Sequence, residues 1–278
     1  MPMNTDNGQA ILAAEDVAAL LVQPVERESL PGLVATPVAM TSNSLRAPAV
    51  QTDPSASWVL EGAEIAASDA VFAEVSAPAC KVAGLTIVTS ELANDSSPAA
   101  VEQIGNGLRR DIVRKINAAF VSDLASPAPA GLGSLTGATV VPVGTAWTNV
   151  DAFIDGQAAA AAVGAKVDSW IISAADFSTL AKLKTASGSN QALLQADPTR
   201  PEGTILAGAQ VHVSADLPAG VAYGIPRDRV LLGVRQDAEI VADGSAFFSS
   251  DRIGVRATMR VAFAYPHPES VVKLTVGA

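Results

Sequence analysis

Near the N-terminus, residues 23–56 form a long run that shows no helical period. Prolines interrupt this run at positions 24, 32, 37, 48 and 54. A stretch of this length without regular structure is uncommon inside a compact domain. Because the run also offers no obvious core of its own, we expect an extended arm that lies over another surface, which can belong to a second subunit.

Residues 57–89 are predicted to form two extended pieces joined near residues 66–69, as a long hairpin with a small, polar tip. In the second piece every other residue is small and apolar, which is the period of a strand: Val71, Ala73, Val75 and Ala77. The extended pattern continues after Pro78 through Leu85, Ile87 and Thr89. A long hairpin with few packing contacts is at best marginally stable on its own, so we expect it to lie against a neighbouring subunit. Trp58 falls in this segment with little core around it.

The strongest helical pattern spans residues 97–124, with Ser97 suited to cap it and Pro98 to its first position. One face carries apolar side chains at steps of three and four: Val101, Ile104, Leu108, Ile112, Ile116 and Phe120. The same helix carries a basic cluster formed by Arg109, Arg110, Arg114 and Lys115. This cluster has two interpretations: ion pairs with acidic neighbours, or a face turned toward nucleic-acid phosphates.

The remaining chain alternates helices and strands. A short amphipathic helix is predicted at residues 8–22, and further helices at 147–164 and 174–184. A buried strand is predicted at 168–173 and another strand at 207–218. Residues 126–145 are expected to form a loop with a short strand. Three closing β regions follow in the sequence stretches RVLLGVRQDAEIVA, IGVRATMRVAFAYP and SVVKLTV.

The composition favours a protein that buries surface by association. Hydrophobic residues make up 49% of the chain and charged residues only 17%, whereas soluble domains average about 25% charged. Permanent interfaces resemble a domain core cut in half and would bury such a surface. The net charge of -10 argues against a dedicated nucleic-acid binder, which carries a basic face.

The single cysteine, Cys80, rules out an intrachain disulfide, and we expect it to be a small buried hydrophobe. This cysteine usage fits a reducing cytoplasm. The N-terminus lacks the basic region of a signal peptide. The longest uncharged run, 124–150, is broken by prolines and glycines, so we expect no membrane span.

Sequence motifs for catalysis or for metal and cofactor binding are absent from the chain: HExxH, CxxC, GxSxG, a Walker loop and GxGxxG after a strand. His212 is expected to be a satisfied strand residue, and His267 a turn residue between two prolines. Glu61 and Glu64 lie in the hairpin, and the sequence around them offers no residues that would enclose a pocket. We therefore expect these carboxylates to be solvated or to form ion pairs between subunits, and not to act in acid–base catalysis. We therefore predict no enzyme, no cofactor and no metal site.

Four stretches, taken in order, resemble one known family. They are residues 58–120 with Trp58, Glu61, Phe72, Lys81 and Asp95; residues 169–188; residues 204–218; and residues 243–274. Their order resembles the major capsid protein of tailed bacteriophages, which has the Hong Kong 97 type of shell fold. The resemblance implies an α+β chain with an N-terminal arm at 1–40 and an extended loop at 41–80. It further implies a peripheral domain at 81–125 and 229–278 with a spine helix at 97–124, and an axial domain at 126–228.

The resemblance also implies the function. The chain would assemble with itself into pentamers and hexamers of an icosahedral shell around double-stranded DNA, in the cytoplasm of a bacterial host. A separate scaffold protein, a portal and decoration proteins are the implied partners. The alternatives are an encapsulin-like nanocompartment shell, an uncharacterised soluble enzyme and a monomeric binding module.

In this family, Trp58 would be an anchor on the neighbouring subunit, since aromatic residues are enriched at interface hot spots. The alternative places Trp58 at the base of the hairpin within its own subunit. The complete set of interface candidates is Trp58, Glu61, Glu64, Phe72, Arg109, Arg110 and Arg114.

Two features depart from some members of the family. The arm starts almost at Met1, which leaves no room for a long scaffolding segment, so we expect a separate scaffold or a chain that is already processed. Some members also form lysine–asparagine cross-links from the extended loop, but residues 47–80 contain no lysine. We therefore predict that boiled particles run as the single 28.2 kDa chain on a denaturing gel. A ladder of larger species would contradict this prediction.

Overall fold

The computed structural model of the chain describes residues 28–52, 54–62, 64–65, 67–89, 98–186, 189–191, 193–194, 204–243 and 245–277. In these residues the helices are α1 (Leu30–Val34), α2 (Pro98–Val121), α3 (Asp151–Ala162) and α4 (Ala174–Ala181). The first strands are β1 (Thr36–Met40), β2 (Ser44–Thr52), β3 (Val71–Pro78), β4 (Cys80–Thr89), β5 (Thr139–Gly144) and β6 (Ser169–Ser173). The others are β7 (Ile205–Leu206), β8 (Ala209–Ser214), β9 (Val221–Ile225), β10 (Leu231–Asp243), β11 (Arg252–Ala264) and β12 (Val272–Val276). The 3-10 helices are Leu132–Ser134, Arg227–Arg229, Ser245–Ser250 and Pro268–Ser270.

A four-stranded sheet packs against the predicted spine helix, α2. Its strand order is β1-β10-β11-β4, with β1 parallel to β10 and the other pairs antiparallel. The predicted stripe of α2 is its buried face, since Ile112, Ile116 and Phe120 are at most 2% exposed. The Phe120 ring meets Phe263 of β11 edge-on, with centroids 5.1 Å apart. The period read from the sequence therefore identifies the face that forms this core.

The opposite face of the same sheet holds the base of a hairpin. Strands β2 and β3 pair antiparallel from Ser44↔Pro78 outward. Leu45 and Ala77 from the base form a small buried cluster with Met40, Ala262 and Ala264. Because side chains of β11 alternate between the two faces, Phe263 faces α2 while its neighbours face the hairpin. In the described residues, the buried cluster that joins the hairpin to the sheet lies at the base of the hairpin.

A six-stranded sheet forms the second core. Its order is β5-β12-β9-β6-β8-β7, and every residue of β6 is buried, as its apolar sequence predicts. Phe153 of α3 lies between two tryptophans, with ring centroids 5.0 Å from Trp170 and 5.3 Å from Trp147. At Gly224 of β9 a Cβ would lie 2.6 Å from the Trp170 ring. Only a glycine at that position leaves room for the indole.

The prediction of an irregular arm over residues 23–56 is wrong in its described part. Residues Leu30 and Val34 of α1 are buried in the core beneath α2, and the Leu30 amide donates to Asn117 Oδ1 at 2.8 Å. Strand β1 gains its order from pairing with β10, almost two hundred residues away. Local periodicity could not show such a partner. The helix predicted at 8–22 and the predicted cap Ser97 lie outside the described residues.

Two predicted strand placements are also wrong. The hairpin partner of β3 is β2, and residues 57–65 belong to the tip instead of forming a strand. In β2 the buried residues are Leu45, Ala47 and Ala49. Their alternation with exposed residues was not recognised in the sequence, because most of them are small and because Pro48 interrupts the pattern. The last strand, β12, pairs with β5 and β9, so it joins the six-stranded sheet instead of the sheet beneath α2. No helix in the described part of the chain is long and apolar enough to cross a membrane.

Candidate assembly interface

The hairpin ends in a tip that the described part of its chain does not cover. We define the hairpin tip as residues 54–62, 64–65 and 67–69, all of which are exposed. Trp58 is 105% exposed, Leu60 86% and Ile65 78%. The alternative in which Trp58 packs at the base of its own hairpin is therefore wrong. An uncovered tryptophan in a folded chain points to an interaction surface.

Exposed apolar side chains are concentrated on this hairpin. Residues 50–72 contain Val50, Trp58, Val59, Leu60, Ile65, Val71 and Phe72, all exposed. Val50 and Phe72 face each other across the strands, which places two of these side chains side by side. The exposed apolar side chains elsewhere in the described residues are spread over many elements. The arrangement can contribute apolar contact area to a partner.

The hairpin is also uniformly acidic. Residues 47–80 contain no lysine or arginine, and their acidic residues are Asp53, Glu61, Glu64, Asp69 and Glu74. The predicted candidates Glu61 and Glu64 are exposed at the tip. At the base, Arg46 Nε lies 3.3 Å from Glu74 Oε1. The outer part of the hairpin therefore carries negative charge without a compensating base in its own sequence.

The basic cluster on α2 lies on a different element from the tip. Arg109 Nη2 lies 3.4 Å from Glu28 Oε1, and Arg114 Nη1 lies 4.0 Å from Asp111 Oδ1. The ion-pair interpretation is therefore confirmed for these two arginines. Arg110, the third candidate on α2, is exposed. Within one subunit the structure does not bring the α2 candidates and the hairpin candidates together.

A groove that sequence reasoning missed lies between α2, the start of β4 and the loop 124–129. Its volume is about 460 Å³. Apolar side chains such as Val82, Leu108 and Leu124 line it, and Lys81, Asp111 and Lys115 contribute polar atoms. A second cavity of about 480 Å³ lies beside it under the hairpin base, and Cys80, Ala128 and Pro129 line both. No signal in the sequence reveals this groove, because its walls come from four separate segments, including Val261 of β11.

Burial shifts the pKa of two side chains that the sequence singled out, Cys80 and His212. Cys80 is only partly buried, whereas the sequence predicted a small buried hydrophobe, and this burial raises its pKa. His212 is half-buried on β8, and burial lowers its pKa. His267 lies in a turn as predicted, with Nδ1 3.4 Å from Glu269 Oε1. Among the described residues no group of three or more His, Cys, Asp or Glu side chains is placed to hold a metal ion.

The lowered pKa of His212 makes stability depend on pH. The folded chain resists protonation of His212 below its ordinary pKa of 6.5, whereas the unfolded chain accepts the proton. Stability is therefore lost as the pH falls below about 6.5. We expect H212Q to show a smaller drop in melting temperature than wild type between about pH 7 and about pH 5. Identical pH dependence in the two proteins would contradict this prediction.

Comparisons with known proteins agree with this architecture. A family model described as the phage capsid family matches residues 9–276. The capsid of an empty GTA particle is 19% identical and has a TM-score of 0.75, with 89% of each chain covered. A chain from Mycobacterium phage Bobi is 21% identical with a TM-score of 0.69, covering 90% of this chain and 91% of the other. A chain from Mycobacterium phage Adephagia is 21% identical with a TM-score of 0.67, covering 88% of each. The comparison with curated proteins finds no match.

Proposed function

Because this chain belongs to the phage capsid family, we propose that it is the major head protein of a tailed phage. In this proposal it assembles with itself into pentamers and hexamers, which close into an icosahedral shell around double-stranded DNA. The observation that carries the proposal is the hairpin tip, whose fully exposed Trp58 is not covered by any of the described residues. The family and the mixed helix and sheet fold point to a structural protein.

The proposed mechanism is repeated heterologous contact, in which one surface of each subunit meets a different surface of the next. The hairpin supplies one such surface, because it is anchored at its base by Leu45 and Ala77 and projects beyond it. Each contact is modest, but a subunit held by several neighbours dissociates only when all of its contacts break together. A shell built in this way gains stability from the number of its contacts.

The charge of the chain suits a shell that encloses DNA without gripping it. The net charge is -10, and two arginines of the basic cluster are already paired with Glu28 and Asp111. A shell of this kind retains DNA through the strength of its interfaces. A separate scaffold protein, a portal and decoration proteins complete the proposed set of partners, and the assembled chain resides in the virion capsid.

Negative-stain electron microscopy of the purified protein, with size-exclusion chromatography alongside, tests the proposal. We expect closed shells, or discrete pentamers and hexamers. A monomer of 28.2 kDa across all salt and protein concentrations, with or without an added scaffold protein, would overturn the proposal. Shells that enclose a protein cargo instead of DNA when isolated from the native host would favour a nanocompartment.

A further inference from the structure

We propose that two side chains of α2, Arg109 and Asn117, clamp residues 28–30 and thereby fix where the N-terminal segment, residues 1–27, joins the subunit. The clamp gives that segment the same starting direction in every copy of the chain. This inference rests on the proposed self-assembly, because a segment with one fixed direction can make the same contact with a neighbour at every position of the shell. Arg109 and Asn117 are therefore positioning residues.

Three consecutive residues hold the chain to α2 at this point. Glu28 Oε1 lies 3.4 Å from Arg109 Nη2. Ser29 is fully buried, and its side chain caps the start of α1. The Leu30 amide donates to Asn117 Oδ1 at 2.8 Å. An ion pair, a helix cap and a hydrogen bond thus follow one another directly, so residues 28–30 keep one conformation while the clamp is closed.

The two contacts on α2 also set a direction. Arg109 and Asn117 are eight residues apart in sequence, which is about 12 Å along the helix axis. Residues 28–30 meet them in the order in which they follow each other in α2, so this stretch runs parallel to the helix. Side chains of a helix point toward its N-terminus, which places the guanidinium group of Arg109 further in that direction. The chain therefore reaches Glu28 from the side of the first turns of α2.

Burial makes these contacts matter. Leu30 is only 7% exposed, so loss of the Asn117 acceptor would leave a buried amide without a partner. The side chain of Arg109 is 25% exposed and that of Arg114 73%, so water and salt screen the ion pair of Arg109 less. Arg109 Nε is buried and has no hydrogen-bond partner among the described residues. This donor can bind an acceptor of the N-terminal segment, whose last acidic residue is Glu26.

A single trypsin site tests the clamp, because Arg27 is the only basic residue before Arg46. Cleavage after Arg27 requires the residues around it to open, so its rate reports how often the clamp releases them. In separated subunits we expect R109Q to release the peptide 1–27 about 3-fold faster than wild type, and N117L about 10-fold faster. Mass spectrometry of the released peptide measures both rates.

The conservative variants R109K and N117D keep the charge and the oxygen acceptor, so they should release the peptide within about 2-fold of the wild-type rate. All four variants share the wild-type sequence around the cleavage site, and the sequence preference of trypsin cancels in the comparison. R229Q is the matched control, since Arg229 Nε lies 3.4 Å from Asp228 Oδ2 and its side chain is 29% exposed. Cleavage after Lys273, in β12, reports general unfolding and should stay at the wild-type rate.

The assembly readout asks whether the direction of the segment matters. We expect R109Q and N117L to form misshapen or incomplete particles under conditions in which R109K and N117D form regular shells. Negative-stain electron microscopy of the five proteins, wild type included, makes this comparison. Regular shells from R109Q and N117L at the wild-type concentration would overturn the positioning role, even with faster release of the peptide.

The remaining outcomes separate the clamp from the proposed function. If R109Q and N117L release the peptide 1–27 no faster than wild type or R229Q, the clamp is overturned and the shell function stands. If wild-type subunits are cut after Arg27 as fast as a free peptide of residues 20–34, the clamp is likewise overturned. If release responds as expected but the wild-type protein forms no oligomers in any condition, the clamp stands and the proposed function is wrong.

Discussion

Replacing Trp58 with alanine is expected to prevent shell assembly at protein concentrations where the wild type assembles completely. The side chain is fully exposed in the single subunit, so its removal costs the fold nothing. An aromatic anchor buried at an interface typically contributes about 2 kcal/mol or more. A loss of that size weakens one contact roughly 30-fold, and every subunit of the shell would lose the same contact. Light scattering against protein concentration would measure the shift in the assembly threshold.

I154A is the matched control for W58A. Ile154 is 54% exposed and lies on α3, away from the hairpin. We expect I154A to assemble at the wild-type concentration, and all three proteins to show the same melting temperature as separated subunits. W58A particles that form at the wild-type threshold would show that Trp58 is not an interface anchor.

The second large effect is expected at Gly131, which follows α2 and precedes the 3-10 helix Leu132–Ser134. A Cβ at this position would lie 2.1 Å from the carbonyl oxygen of Ala119, 2.4 Å from that of Ser122 and 2.8 Å from that of Phe120. These are backbone atoms at the end of α2, so no side-chain rotation can relieve the overlap. We expect G131A to destabilise the subunit by about 3 kcal/mol or more, as overpacking against a fixed surface does.

Thermal unfolding of separated subunits, followed by circular dichroism, would measure this loss. For a chain of this size, about 3 kcal/mol lowers the melting temperature by about 5 °C. G105A is the control, because Gly105 lies inside α2 and a Cβ there meets nothing within 4 Å. That variant should be stabilised by about 0.5–1 kcal/mol, since alanine favours the helix. Equal melting temperatures for G131A and wild type would mean that the end of α2 can move aside.

The sequence predicted best those elements that can be recognised from the hydrophobic pattern of consecutive residues. The spine helix has an apolar stripe at helical spacing, and Ile112, Ile116 and Phe120 are indeed its buried face. Strand β6 has three apolar residues, 170–172, between two serines and lies in the middle of its sheet, so its burial on both faces agrees with its apolar centre. In each case a run of neighbouring residues carries the full signal, because the period of the backbone alone decides which side chains share a face.

The parts that sequence missed depend on distant partners. Strand β2 was hidden by its small residues and Pro48, and only its pairing with β3 identifies it as one arm of the hairpin. Strand β12 was expected in the sheet beneath α2, but its hydrogen bonds go to β5 and β9. The strand pattern of β12 is the same in either sheet. Strand pairing is set by long-range packing, which a local pattern does not record.

The sequence by itself determined the family, the mixed helix and sheet class, and an acidic hairpin that carries a tryptophan without a core. Only the tertiary structure decided that Trp58 is uncovered and that a groove lies between α2 and β4. The physical reason is that composition and hydrophobic period can be read from consecutive residues of the sequence. The exposure of a side chain depends instead on all the segments that pack around it in the folded chain. The walls of this groove come from Val261 and from residues 80–84, 108–119 and 124–129, so the groove exists only once those segments have folded together.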